Sequence, residues 1–77
     1  MSGVVVVAEN GQGRYQQAVT VGLHQLIADE PISVGGADAG PAPFDYIMAG
    51  LGASTSMTLL MYAERKGLAL TRIIVAL

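Results

Sequence analysis

The chain predicts an α+β fold: an antiparallel three-strand meander, a long buried central helix and one further strand. Three observations carry this. The first 28 residues hold a run of four valines and two alternating segments, divided by Gly-bearing turns. Residues 29–42 are rich in Gly and Pro. An apolar run opened by Pro43 and closed by Gly67 then fills residues 43–66, a length suited to a helix and too long for a strand.

Residues 3–9 favour extended backbone because β-branched side chains pack well on a pleated surface. Asn10-Gly11-Gln12-Gly13 is a strong turn signal, since Asn and Gly accept positive φ. Residues 14–21 alternate fairly well, with Tyr15, Val19 and Val21 among Gln and Thr, and Ala18 out of register. Gly22 breaks the pattern. Residues 23–28 alternate again, with Leu23, Gln25 and Ile27 on one face and His24, Leu26 and Ala28 on the other. Three short strands joined by tight turns make a meander. Residues 29–42 hold three glycines, Pro31, Pro41 and two aspartates, a loop of the kind that tends to serve a site.

Pro43 at the first helical position and Asp45 in the first turn open the helix. Arg65 and Lys66 suit its negative end, and Gly67 caps it. Apolar residues lie nearly all round it, which predicts burial. Small residues fill its middle (Ala49, Gly50, Gly52, Ala53, Ser54, Ser56) and permit close packing of another backbone. Residues 70–77, rich in Ile, Val and Leu, read as a strand that ends with the chain and has no neighbour after it.

Seventy-seven residues allow one domain, and a chain of this size hides only about 60% of the surface its unfolded form exposes. Small domains lean on disulfides, a metal or a partner. The chain has no Cys and its one imidazole is His24, so neither a disulfide nor a structural zinc site is expected. With 52% apolar and 13% charged residues, the composition points to a second copy of itself. A net charge of −2 disfavours a phosphate-tracking surface, and nucleic acid is not an expected partner. The amino terminus lacks a basic region and does not read as a signal peptide. Residues 46–63 carry no charge, close to the minimum for crossing a bilayer, but Gly, Ser and Thr dilute them. No membrane partner is expected, and a cytoplasmic location is.

Several ordered motifs resemble a known family. His24-Gln25-Leu26-Ile27-Ala28-Asp29-Glu30-Pro31 is followed by Gly35-Gly36 and by Gly40-Pro41-Ala42-Pro43. Leu51-Gly52-Ala53, Thr55-Ser56-Met57-Thr58-Leu59 and Met61-Tyr62-Ala63-Glu64-Arg65-Lys66-Gly67 come next. Together they look like OsmC/Ohr-type proteins, and more narrowly like an OsmC-like branch with a DEP…GG…GP.P loop before its central helix. The resemblance implies an obligate, intertwined homodimer with long central helices packed at its middle. It also implies thiol-dependent reduction of organic hydroperoxides in oxidative or osmotic stress, with no cofactor. In such proteins a reactive cysteine on the central helix sits in a mostly apolar pocket at the dimer interface. A later cysteine resolves it, and an arginine and a glutamate steady the thiolate.

The chain departs from that pattern. Ser54 stands at the reactive position, and no resolving cysteine is present. Phe44 occupies the glutamate position, with Asp45 the nearest carboxylate, and Arg14 is the one candidate for the orienting arginine. By the same resemblance the chain covers about the first half of a family domain and is expected to be truncated or divergent. Phe44, Met48 and Met57 are the expected pocket lining.

Peroxide reduction needs a thiolate that becomes a sulfenic acid, and a serine hydroxyl has no such oxidation ladder. Ser54 is therefore expected to be inactive in that reaction. Gly52-Ala53-Ser54-Thr55-Ser56 falls one residue short of a nucleophile elbow, and the helical surroundings disfavour that reading. The plainer role is a small residue at a helix contact, its hydroxyl bonded back to the Gly50 carbonyl. By residue type alone, His24 is a packed or edge histidine, Asp29 and Glu30 cap and solvate a loop, and Arg14 is a solvated hairpin residue. Met48, Met57 and Met61 are core, with thioethers that also suit an apolar ligand. Two functions stay open: a redox-inactive dimer whose pocket holds a small apolar molecule or nothing, and a peroxidase represented by a Cys-to-Ser variant or completed by another chain's thiol.

Overall fold

The computed structural model describes residues 3–77. Its contacts divide into two compact units, the first ending at Asp45 and the second spanning Tyr46–Leu77. In the first, β1 (Val5–Glu9), β2 (Gln17–Val21) and β3 (His24–Ala28) form an antiparallel sheet in the order β1-β2-β3. This is the meander the alternation predicts. Val5 pairs with Val21 and Glu9 with Gln17, while Gln17 pairs with Ala28 and Val21 with His24. Side chains alternate across a strand, so this register sets Val5, Val7, Val19, Val21 and Leu26 on one face. Val6, Ala8, Ala18 and Ile27 share the other. Both faces are thus apolar in part, unlike a sheet with one wet side.

The two hairpin connections differ. Between β2 and β3 lie only Gly22 and Leu23, with positive φ (59°) at Gly22 alone, the pattern of a type II′ turn. Between β1 and β2 the chain bends over seven residues, and β2 begins at Gln17 instead of residue 14. The cause is local. The Asn10 side-chain amide donates to Gln16 Oε1 at 2.9 Å, and its Oδ1 accepts the Gln12 N–H at 3.0 Å. These bonds close a wide turn and keep Arg14 out of the ladder.

After β3 the chain makes a short 3-10 turn at Ile32–Val34, ended by Gly35 at φ 99°. Two further glycines in this loop have no space for a side chain. A Cβ on Gly36 would collide with the Glu30 carbonyl group, and one on Gly40 would collide with that of Ile27. The loop backbone is therefore laid directly on the end of β3.

The helix, α1 (Pro43–Lys66), has the predicted bounds. Its start is half of a capping box: Asp45 Oδ2 accepts the Ala42 N–H at 3.0 Å. Its end is a Schellman motif, with Leu68 N–H donating to the Ala63 carbonyl at 2.8 Å and Gly67 N–H to that of Glu64 at 3.2 Å. Gly67 takes φ 70°. Within the second unit the segment beyond Gly67 folds back on the helix: Val75 Cγ1 and Leu77 Cδ1 lie 3.7 and 3.4 Å from where a Cβ on Gly52 would sit. The small helix residues do admit a close neighbour, here the chain's own tail.

One expectation is corrected. Residues 70–77 form no strand, because a strand needs a ladder partner and this segment lies against the helix at Gly52. The helix is not buried in the single chain. Among the described residues the buried apolar ones are Ala28 and Ala63, and no large side chain is fully enclosed. Ile47, Leu51, Leu59, Leu60 and Met61 all stand exposed, since one sheet and one helix cannot cover so many apolar groups.

Replacing Gly36 or Gly40 by Ala should destabilise the fold by about 1–3 kcal/mol, the usual cost of forcing atoms into a packed site. Gly13→Ala, whose Cβ would meet Gln16 Cβ at an ordinary 3.6 Å, should change stability by less than about 0.5 kcal/mol. Urea denaturation of the three variants checks the contrast, and equal midpoints would refute the proposed crowding.

Candidate functional site

Two places merit attention: position 54 on α1 and the loop that links β3 to α1. Ser54 lies in the second unit and is exposed along the helix. The hydroxyl that bonds back onto the helix is not Ser54's but that of Thr55, which donates to the Leu51 carbonyl at 2.9 Å. This leaves the expected bond from Ser54 to Gly50 unmade. Of the expected pocket residues, Met48 is half-buried, whereas Met57 is 55% and Phe44 65% exposed.

The other site residues expected from the sequence have local structural work. Arg14, in the first unit, stacks its guanidinium over the Tyr15 ring at 5.0 Å. Its Nη1 also lies against Gly35, 3.1 Å from where a Cβ there would sit. It is thus more engaged than a free hairpin arginine, bridging the β1–β2 turn and the loop after β3. Asp45, also in the first unit, spends one carboxylate oxygen on the cap of α1. His24 is exposed at the start of the edge strand β3.

The residue whose importance the sequence reading missed is Asp29. It is 3% exposed, so it does not solvate the loop but organises it from within. Oδ1 accepts the Glu30 N–H at 2.7 Å, while Oδ2 accepts those of Ala37 at 3.2 Å and Ala39 at 3.1 Å. Its own N–H donates to the Pro41 carbonyl at 3.0 Å, and Asp38 N–H donates to that of Glu30 at 3.1 Å. Three of the loop's backbone donors converge on one anion, as an ionised carboxylate favours. The Ala39 N–H holds the Asp29 carboxyl below the ordinary aspartate range. Burial acts against this, and the Glu30 and Ala37 N–H groups add to the lowering. A signal was present: an aspartate ahead of a Gly-rich segment in which several N–H groups fall outside any strand or long helix.

The Asp29 loop and the sheet frame an open concavity of about 530 Å³, lined by Tyr15, Gln17, Ala28, Asp29, Glu30, Val34 and Pro43. Asp29 is fixed there by N–H donors on both oxygens. No helix of the described residues is long and apolar enough to cross a membrane. No protein-family model, no curated protein and no solved structure matches the chain.

Asp29→Asn should lower thermal stability at neutral pH, because a neutral amide offers one acceptor oxygen and adds two donors facing N–H groups. The folded pKa lies below the unfolded one, so the ionised carboxylate stabilises the fold above the unfolded value of about 3.9. That contribution fades as pH falls through the folded pKa. The melting-temperature gap between the native chain and Asp29→Asn should therefore narrow on acidification below about pH 4. A gap that stays constant through acid would refute the role given to the charge.

Proposed function

We propose that the chain is an OsmC-like subunit that acts in the cytoplasm as a homodimer, with a pocket around Ser54 that carries no peroxide chemistry. The observation that carries this reading is the missing core. A chain with 52% apolar residues encloses no large side chain among those described. Apolar patches of this extent mark a surface that meets another protein, and a second copy is always at hand.

The loop geometry supports the family reading from a different side. Asp29, Gly36, Gly40 and Pro41 are motif residues, and each has a distinct task in the loop. One gathers the N–H groups, two leave room for backbone, and one offers its carbonyl to Asp29. A motif whose members are each required by one backbone conformation behaves as a structural signature.

At position 54 the chemistry is set by the element present. A cysteine thiolate would attack one peroxide oxygen, the O–O bond would break, an alcohol would leave and a sulfenic acid would remain, to be reduced by a dithiol with release of water. Serine cannot follow that course. The role left to the dimer is structural, or the binding of a small apolar molecule among Phe44, Met48 and Met57, whose thioethers adapt to irregular ligands.

With an organic hydroperoxide and a dithiol reductant, the native chain should consume no more peroxide than buffer. Ser54→Cys should form a sulfenic acid that a dimedone-type probe traps. Turnover by the native chain would overturn the redox-inactive reading in favour of a peroxidase. Light scattering at micromolar concentration should report a dimer, and a well-folded monomer would refute the architecture.

A further inference from the structure

Asn10 is the only asparagine of the chain, and Gly11 follows it. Glycine has no side chain to shield its own nitrogen, so an asparagine ahead of it can lose its amide to the backbone. The Gly11 nitrogen gives its proton to hydroxide or a buffer base and attacks Asn10 Cγ. A cyclic imide forms as the Cγ–Nδ2 bond breaks, and the amide nitrogen leaves as ammonia. Water then opens either carbonyl of the ring, which yields aspartate or isoaspartate. The sequence of steps needs water and base alone.

The β1–β2 turn prepares this reaction in three ways. Asn10 Oδ1 accepts the Gln12 N–H at 3.0 Å, which curls the side chain back along its own chain toward Gly11. The same bond polarises the carbonyl that must take up negative charge during attack. Gly11 stands at φ 71°, and nothing lies within 4 Å of where its Cβ would sit, so this stretch of backbone is unobstructed. Residues 11–15 are exposed, which admits base and water. One bond opposes the step: Nδ2 donates to Gln16 Oε1 at 2.9 Å and must let go as ammonia leaves. A neutral bond on a half-buried residue slows such a step by roughly tenfold at most.

We propose that Asn10 is a self-modification site, and that its conversion to isoaspartate opens the β1–β2 turn and so limits the lifetime of the intact hairpin. This stands apart from the homodimer and family readings. Asn10 closes the turn through both ends of its amide and through its own N–H, which reaches the Gln16 carbonyl at 3.4 Å. Isoaspartate carries the main chain through the former side chain, adds one carbon to its path and offers Gln16 no amide donor. Each conversion also adds one negative charge to a net −2. Arg14 rides on the same turn, with its guanidinium over Tyr15 at 5.0 Å and against Gly35. Opening the turn therefore loosens the contact between the hairpin and the loop after β3.

Ageing the purified chain in mildly alkaline buffer tests this. The fragment that carries residue 10 should gain the mass that marks NH2 replaced by OH, and isoaspartyl methyltransferase should label it. Conversion should quicken as pH rises. A synthetic peptide of residues 7–14 sets the rate without the fold. The folded chain should keep within about tenfold of the peptide, the limit set by the one opposing bond. Gln16→Ala, which frees Nδ2, should convert severalfold faster than the native chain, and circular dichroism checks that it folds. The converted form, separated on anion exchange by its extra charge, should melt several degrees below the native chain. If the folded chain converts far more slowly than the peptide, the turn protects Asn10 and the site is refuted. If the converted form melts with the native chain, the turn does not depend on Asn10 and its role in hairpin lifetime is refuted.

Discussion

Between β3 and α1 the backbone turns several times; the short 3-10 turn takes the N–H groups of Val34, Gly35 and Gly36, and the Asp29 carboxylate receives three more. The path of the loop depends on this one anion. Once residues 30, 37 and 39 are drawn to it, the chain passes so close to Glu30 and Ile27 that only glycine fits at positions 36 and 40. The loop then delivers Ala42 to the start of α1, where Asp45 closes the cap. Unsatisfied backbone donors are costly when taken from water, which explains why one buried carboxylate organises so long a connection.

A second constraint is the shortage of cover. The sheet presents apolar residues on both faces, and α1 carries them on all sides. Neither the tail behind Gly67 nor the loop encloses a large side chain. What the fold does satisfy is its polar inventory: among the described residues no buried side-chain nitrogen or oxygen lacks a hydrogen bond. The buried polar side chains are thus satisfied within the chain, while much of its apolar surface stays exposed.

The site expected around Ser54 divides along similar lines. Arg14 and Asp45 have partners close by in sequence, Tyr15 and Ala42, and these contacts use the charges that the resemblance assigns to a reactive thiol. Met57, Met61 and Phe44, exposed in the single chain, are side chains suited to an interface or an apolar ligand.

The sequence by itself determined the local elements. Four valines, the Gly22 turn, Pro43, Asp45 and Gly67 each act through backbone preference or a bond to a near neighbour, so the meander and the helix bounds were legible without coordinates. The task of Asp29 was not, because its donors at Ala37 and Ala39 lie eight and ten residues away and become its partners only once the loop is formed. The tail was misread for the same reason. Ile, Val and Leu suit a strand, but pairing depends on which surface lies alongside, and folding placed residues 75 and 77 against Gly52 of the helix. Only the tertiary structure decided that the helix would be left uncovered, since burial is a property of what surrounds a side chain.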